Sequence, residues 1–312
     1  MAYLSEKEII DKINILRKKL NAVILTHNYQ LGEVQDIADF TGDSLELSMK
    51  AANTVADIIV FCGVKFMAET AYILSPEKKI LLPVMESGCP MADMADADEL
   101  RKVKAENPGA VVVCYVNSTA EVKAECDLCV TSANAVQIVS SIPADKKIIF
   151  VPDKNLGAYV QKKTGRNMFL WPGFCPTHMR ITPEHILRKK AEYPNAVVMV
   201  HPESRPEVIE LADEVLSTGG MCKFAKGTSK NTIIVATEMG IIYRLQKENP
   251  GKLFIPVSEQ AICPNMKLTR LEDVLSALEK GRYEITVQEN IRVLAKKPIE
   301  RMLELSEKLM KN

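Results

Sequence analysis

The sequence predicts an α/β fold: three αβα domains related by a pseudo-threefold axis, with parallel sheets around a central active site. Three observations lead there. The pair Cys-Pro occurs at 89, 175 and 263, spacings of 86 and then 88 residues, in a chain with eight cysteines. Three apolar runs open at similar intervals: "NAVILTHNYQ" at 21, "GAVVVCYVNS" at 109 and "NAVVMVHPES" at 195. Each run is followed by one frame. Glu-Val begins twelve residues on (Glu33, Glu121, Glu207), an Asp stands six past the Glu (Asp39, Asp127, Asp213), and a small hydroxyl residue stands eleven past it (Ser44, Ser132, Thr218). Repetition at a fixed period sets the whole architecture, so it is read before any single motif.

The elements follow in chain order. "MAYLSEKEIIDKINILRKKL" reads as an amphipathic helix with Ile9, Ile13, Leu16 and Leu20 on one face. Each repeat then opens with its Val/Ile-rich run, as expected of a buried parallel strand. The Glu-Val pair starts a helix. The hydroxyl residue starts another, and in "GDSLELSMKAA" Ser44 is placed to cap it. Second apolar runs come next ("ADIIVFCG", "KKIIFVPD", "NTIIVATE"), then a helical segment, a last apolar run ("KILLPV", "MFLWPG", "KLFIPV") and the Cys-Pro loop. Alternating strands and helices argue for parallel sheets covered on both faces. The boundaries read as 1–105, 106–192 and 193–283. Residues 268–312, which contain "LTRLEDVLSALEKG", "YEITV" and a terminal helix, are expected to pack back onto the first repeat.

Composition excludes several classes of function. Forty basic residues balance forty acidic ones, which leaves no electrostatic footprint for nucleic acid or an anionic membrane. No stretch approaches the roughly 20 apolar residues of a membrane span. The N-terminal segment has no signal-peptide core and carries acidic residues, which transit peptides avoid. These features predict a cytoplasmic protein whose cysteines are thiols or metal ligands.

The chemistry falls at strand ends, where parallel α/β units bind ligands. A threefold ring would bring Cys89, Cys175 and Cys263 to one point. Three thiolates with no fourth suit an iron–sulfur cluster with one iron left open, since most simple clusters take four cysteines. Zinc held by the same thiolates and a histidine such as His178 is the competing reading. The proline after each cysteine is read as biasing it to extended backbone and removing an amide donor. Cys62, Cys114 and Cys222 read as small buried hydrophobes. The CxxC of Cys126 and Cys129 has no counterpart in the other repeats and reads as structural. Helix N-termini bearing Ser44, Ser132 and Thr218, aimed at one axis, would favour an anionic ligand. His27, Asn28 and Tyr29 follow the first strand, Tyr115 and Asn117 the second, His201 and Glu203 the third. His201 beside Glu203 makes an acid–base pair once its surroundings tune it.

The motifs "HNYQ", "EVQDIADFTGDSLELS", "FCGVKFMAETAYIL", "YVNSTAEVKA", "TSANA", "PDKNLGAYV", "HPE" and "STGGM" strongly resemble the quinolinate synthase (NadA) family of prokaryotic NAD biosynthesis, in order along nearly the whole chain. The resemblance implies a [4Fe-4S] cluster on Cys89, Cys175 and Cys263 and three pseudo-symmetric domains. It implies condensation of iminoaspartate (iminosuccinate) with dihydroxyacetone phosphate to quinolinate, with an aspartate-oxidising enzyme supplying iminoaspartate. It further implies that His27, Ser44, Tyr115, Asn117, Ser132, His201, Glu203 and Thr218 contact substrate. Tyr29, His201 and Glu203 are the implied catalytic residues, Tyr29 and Glu203 in proton transfers. Another cluster-dependent hydro-lyase, or an iron–sulfur sensor without catalysis, would share the cysteines. A sensor would need an output surface such as a basic DNA-binding helix, which the sequence does not offer.

Overall fold

The structure is a computed structural model that describes residues 4–311. Among the described residues there are twelve strands: β1 (Ala22–His27), β2 (Phe40–Gly42), β3 (Ile58–Cys62), β4 (Lys79–Leu81), β5 (Val111–Tyr115), β6 (Leu128–Val130), β7 (Ile148–Val151), β8 (Phe169–Leu170), β9 (Val197–Val200), β10 (Glu214–Val215), β11 (Thr232–Ala236) and β12 (Leu253–Pro256). They form three four-stranded sheets of one topology, in the orders β2-β1-β3-β4, β6-β5-β7-β8 and β10-β9-β11-β12. All ladders within them are parallel. The fold is therefore α/β, with one sheet per repeat. In this order the connections diverge between the first and third strand of each unit, and ligands bind beyond the carboxyl ends at such a switch point.

The repeated aspartates explain how each unit closes. Asp39, Asp127 and Asp213 each accept a backbone N–H from the first strand, from Ile24, Val112 and Val198, at 2.8 Å in all three copies. Each returns its own N–H to the carbonyl of the same residue at 3.0 Å. This two-way clamp sets the approach of the short second strand. The valine of each Glu-Val pair (Val34, Val122, Val208) is buried beneath it.

Strand periodicity sorts side chains to opposite faces. Val23 and Leu25 join a core that runs on through Val112, Cys114, Ile149, Met199 and Ile233. Ile24 turns the other way, to Ile9 and Ile13 of the helix Glu6–Lys19 and to Val274 and Leu278 of the helix Leu271–Lys280. Ser5 caps the first of these helices in a capping box with Glu8. The first three residues of the predicted helical segment lie outside the described residues. The helix Leu271–Lys280 ends at Gly281, whose φ of 62° suits glycine. The segment "YEITV" meets the first unit through one antiparallel bridge, Leu81 to Glu284, on the free edge of β4. The last helix, Glu289–Lys311, lies against the helices Lys65–Leu74 and Ala120–Ala124 and strand β6, and so spans the first two units. No described helix is long and apolar enough to cross a membrane.

Candidate active site

One cavity opens at the carboxyl ends of the three sheets. It is lined by Cys89, Cys175 and Cys263, by His27, Tyr29 and Ser44 of the first unit, by Tyr115, Asn117 and Ser132 of the second, and by His201, Glu203 and Thr218 of the third. Residues far apart in the chain meet there, as in the bond from Asn28 Nδ2 to Thr218 Oγ1, 190 positions on, at 2.9 Å.

The cysteine loops share a local design. Each proline sits in a turn that runs into a one-turn 3-10 helix: Ala92–Met94, His178–Arg180 and Asn265–Lys267. Pro264 shows the turn conformation directly, at φ −60° and ψ −36°. The turn points backbone N–H groups back at sulfur: Ala92 and Met91 at Cys89, His178 at Cys175, Met266 and Asn265 at Cys263. Proline fixes φ near the value this turn needs. Here it begins a sulfur-facing turn. The loops are also tied together. Asn265 Nδ2 donates to Gly88 O at 2.7 Å, and Trp171 Nε1 donates to Met94 O at 2.7 Å. Burial pushes the Cys89 thiol up to about 12 and raises Cys175 and Cys263 as well. Buried thiols that keep their protons are poor nucleophiles. Sulfurs met by amide N–H groups in a secluded cavity are suited to iron–sulfur ligation.

A continuous hydrogen-bonded chain crosses the cavity wall. Tyr29 Oη lies 2.5 Å from Thr237 Oγ1, which lies 2.8 Å from His178 Nε2. His178 Nδ1 lies 2.8 Å from Glu203 Oε2, and Tyr115 Oη donates to Glu203 Oε1 at 2.5 Å. The hydrogen bonds run one way if Nδ1 of His178 donates to Glu203 and Nε2 accepts from Thr237, which in turn accepts from Tyr29. Burial alone pushes the Glu203 carboxyl up. Positive charge on the His178 and His201 imidazoles when they are protonated, and the bonds from His178 and Tyr115, outweigh it and bring the group below the ordinary carboxylate range. Tyr29 and Tyr115 move up, through burial and then the Glu203 charge. His178 also stacks on His201 at 4.8 Å between ring centroids.

His27 and His201 repeat one arrangement. Nδ1 of His27 accepts the N–H of Tyr29 at 3.2 Å, and Nδ1 of His201 accepts that of Glu203 at 3.3 Å. An accepting Nδ1 leaves the proton on Nε2. His201 Nε2 meets Ser132 Oγ at 3.2 Å. Burial lowers both imidazoles to about 3, so both are neutral at physiological pH.

The hydroxyls line the cavity but do not cap helices. The helix Ser44–Asn53 is capped by Asp43, which accepts from Leu45 and Glu46, and the helix Thr218–Gly227 by Ser217. The cap of the helix Ala135–Ser140 falls at Asn134, two residues past Ser132. Capping belongs to the residue just before the first helical one. Ser44 and Thr218 are one place too late for it, and their hydroxyls are left to the cavity. Asp43 Oδ2 accepts from Ser217 Oγ at 3.1 Å and so joins two helix starts. Gly219 makes this approach possible, since a Cβ there would lie 2.6 Å from Asp43 Oδ2.

Residues 11–304 match the family model described as quinolinate synthetase A protein (NadA). The chain belongs to the quinolinate synthetase A family. A quinolinate synthase from Dehalococcoides mccartyi (strain CBDB1) is 59% identical over 298 residues, 95% of this chain and 98% of that relative. One from Thermodesulfovibrio yellowstonii is 54% identical over 297 residues, again 95% and 98%. One from Methanosarcina barkeri is 51% identical over 300 residues, 96% and 98%.

Within this family member, the structure adds residues that sequence reasoning missed. Thr237 links Tyr29 to His178, and the position after a second strand was the only available signal. His178 was singled out only as a zinc ligand, yet it is the middle of the chain. Glu238 is fully buried, accepts the N–H of Cys263 at 3.1 Å and pairs with Lys267 at 2.9 Å. Lys267 also donates to the carbonyl of Tyr29. Arg244 donates to Asn28 Oδ1 and Thr41 O, each at 2.7 Å, and so steadies the amide that holds Thr218.

Proposed function

We propose that this chain is a quinolinate synthase, a transferase that condenses iminoaspartate with dihydroxyacetone phosphate to quinolinate, losing phosphate and water, in NAD biosynthesis. It would depend on an aspartate-oxidising enzyme for iminoaspartate. The observation that carries the reading is a single cavity joining a cysteine from each of three units to the chain Tyr29–Thr237–His178–Glu203–Tyr115.

The residues divide the work. Condensation and ring closure need protons taken from carbon or nitrogen and given to departing oxygen. The Glu203 carboxylate, kept ionised, accepts a proton at Oε1 or Oε2. Tyr29 supplies one at Oη, which its bond with Thr237 holds in place. Neutral His27 and His201 offer Nε2–H groups to substrate oxygens. Ser44, Ser132 and Thr218 offer hydroxyls, and Tyr115 and Asn117 hold Glu203 in place. Cys89, Cys175 and Cys263 would hold a [4Fe-4S] cluster, which when bound supplies a Lewis-acidic iron without a cysteine ligand. We take the units as domains, 1–105, 106–192 and 193–283. A cytoplasmic setting suits the eight free cysteines.

One observation favours a second reading. Sγ of Cys175, a ring nitrogen of His178 and a carboxylate oxygen of Glu203 lie within 4.8 Å of one another, a set that would hold a single ion. Anaerobic purification with iron, sulfide and zinc analysis separates the two. A brown protein with iron and sulfide that makes quinolinate from the two substrates supports the synthase. A colourless zinc protein, or a loaded one that makes no quinolinate, refutes it.

A further inference from the structure

Each cysteine loop is anchored by the chain that leaves β3, β7 or β11. Two residues past these strands stand Val64, Asp153 and Glu238. The next N–H in each copy (Lys65, Lys154, Met239) donates to the carbonyl two places before the cysteine (Ser87, Gly173, Ala261), at 2.8, 2.9 and 2.9 Å. Val64, Asp153 and Glu238 are all buried, but their side chains do different things. Val64 is apolar. Asp153 turns back on its own helix and accepts the N–H groups of Asn155 and Leu156 at 2.7 and 3.2 Å. Glu238 is one methylene longer and reaches the cysteine loop itself. Its Oε1 accepts the N–H of Cys263 at 3.1 Å, and its Oε2 accepts the N–H of Gly240 at 2.7 Å. Lys267, at the end of the one-turn helix after Cys263, meets both oxygens, at 2.9 and 3.1 Å. Four contacts on two oxygens match the acceptor capacity of a carboxylate. Burial pushes the Glu238 carboxyl up, and the Lys267 charge and the bonds from Lys267, Cys263 and Gly240 oppose it.

Lys267 carries the connection into the first unit. Its Nζ donates to the carbonyl of Tyr29. The Tyr29 N–H is taken by His27 Nδ1 at 3.2 Å, so side chains hold both ends of this residue's backbone. The carbonyls on either side are held as well. Gln35 Nε2 donates to Asn28 O at 3.3 Å and to Gln30 O at 2.9 Å, and it reaches Gly240 O at 3.2 Å. Gly240 lets these segments close on one another: a Cβ there would lie 2.6 Å from Tyr29 O and collide with Lys267 Nζ. A tyrosine that moves a proton needs such fixing, since a misplacement of about 1 Å can cost about 100-fold in rate.

We propose that Glu238 and Lys267 are positioning residues that lock the Cys263 loop to the backbone of Tyr29, and so set the tyrosine hydroxyl against the thiol face of the cavity. The work of Tyr29 rests on the synthase reading; the link itself rests on geometry. The pair also brings two opposite charges to the residue that carries one cluster sulfur. Groups behind a metal ligand tune the metal, and net charge and hydrogen bonds near the sulfurs set a cluster's potential. Reduction adds negative charge, so losing the carboxylate favours it and losing the ammonium opposes it.

The test uses the full chain loaded anaerobically with iron and sulfide. Glu238→Gln keeps the shape and removes the charge. It should retain wild-type iron and sulfide, raise the midpoint potential in a redox titration followed by EPR, and lower kcat roughly 10- to 100-fold with little change in KM. Lys267→Met should move the potential the other way with a similar loss of kcat. The double variant leaves no buried charge, so its potential should fall between those of the single variants while kcat stays low. The charges are then balanced again, but the bond to Tyr29 is not restored. If Lys267→Met does not fold around its unpaired carboxylate, Glu238→Gln and the double variant decide. An unmoved potential or loss of iron in Glu238→Gln, or a wild-type kcat in the double variant, would overturn the proposal. A loaded wild type that makes no quinolinate defeats the synthase reading instead, and iron content and potential, which need no turnover, still decide the link.

Discussion

The molecule holds two sets of three cysteines in different surroundings. The central set comes from three units, one cysteine each, and burial raises all three thiols. The flanking set comes from the single stretch 114–129, where two neighbouring thiols and the buried Lys123 ammonium push Cys114 down. The same side chain thus lines the central cavity in one set and is packed away from it in the other. A cysteine's role follows its neighbours and the local dielectric more than its spacing in sequence.

The sharpest way to break this contrast is substitution. Cys89→Ala, Cys175→Ala and Cys263→Ala should each lose all cluster iron and sulfide, and with them measurable turnover. Cys126→Ala should keep both, by anaerobic metal analysis. Glu203→Gln comes next. It should keep the iron yet lower kcat roughly 10²- to 10⁴-fold, the scale of general acid–base catalysis. A Glu203→Gln enzyme of normal rate would remove Glu203 from the proton transfers.

The centre should also respond to acid. His27 and His201 have pKa values lowered to about 3, against about 6.5 in the unfolded chain. Between those values the unfolded chain binds protons that the folded chain does not. Stability therefore rises with pH across this window and is lost as pH falls from about 6.5 towards 3. From pH 7 to pH 5 the loss is about 2 kcal/mol per histidine. Urea midpoints should fall less steeply for His27→Asn, whose amide oxygen can still accept the Tyr29 N–H. An equal slope in the variant would contradict a neutral His27.

Smaller effects test the supports. Thr237→Val removes the hydroxyl between Tyr29 and His178 and should lower kcat about tenfold, the worth of one hydrogen bond, with little change in KM. Asp127→Ala, beside the flanking cysteines, should cost about 1.5 kcal/mol of folding stability by urea titration. Iron content should not change. Iron loss in that variant would mean that centre and flank are coupled.

Much of this was legible before any fold was known. The Val/Ile runs became β1, β5 and β9, and the repeat frame singled out twelve residues that line one cavity. The frame also marked Asp39, Asp127 and Asp213, whose role proved to be clamping strands. Ser44 was misplaced by one position. In "GDSLELS" both Asp43 and Ser44 can cap, and Asp43 wins because its carboxylate takes two N–H groups and its charge suits the helix dipole. Thr237, Arg244 and Lys267 left no comparable mark, because each acts on a residue of another repeat.

The sequence by itself determined what repeats: strand, helix, hydroxyl and thiol at a period that local hydrophobic patterning and turn chemistry enforce. Only the tertiary structure decided which donors face which acceptors across the three units. It decided as well that Cys126 and Cys129 flank Cys114 and stand apart from the centre. Those outcomes depend on distances between segments far apart in the chain, and no local rule fixes them. Packing the three sheets with their carboxyl ends together does.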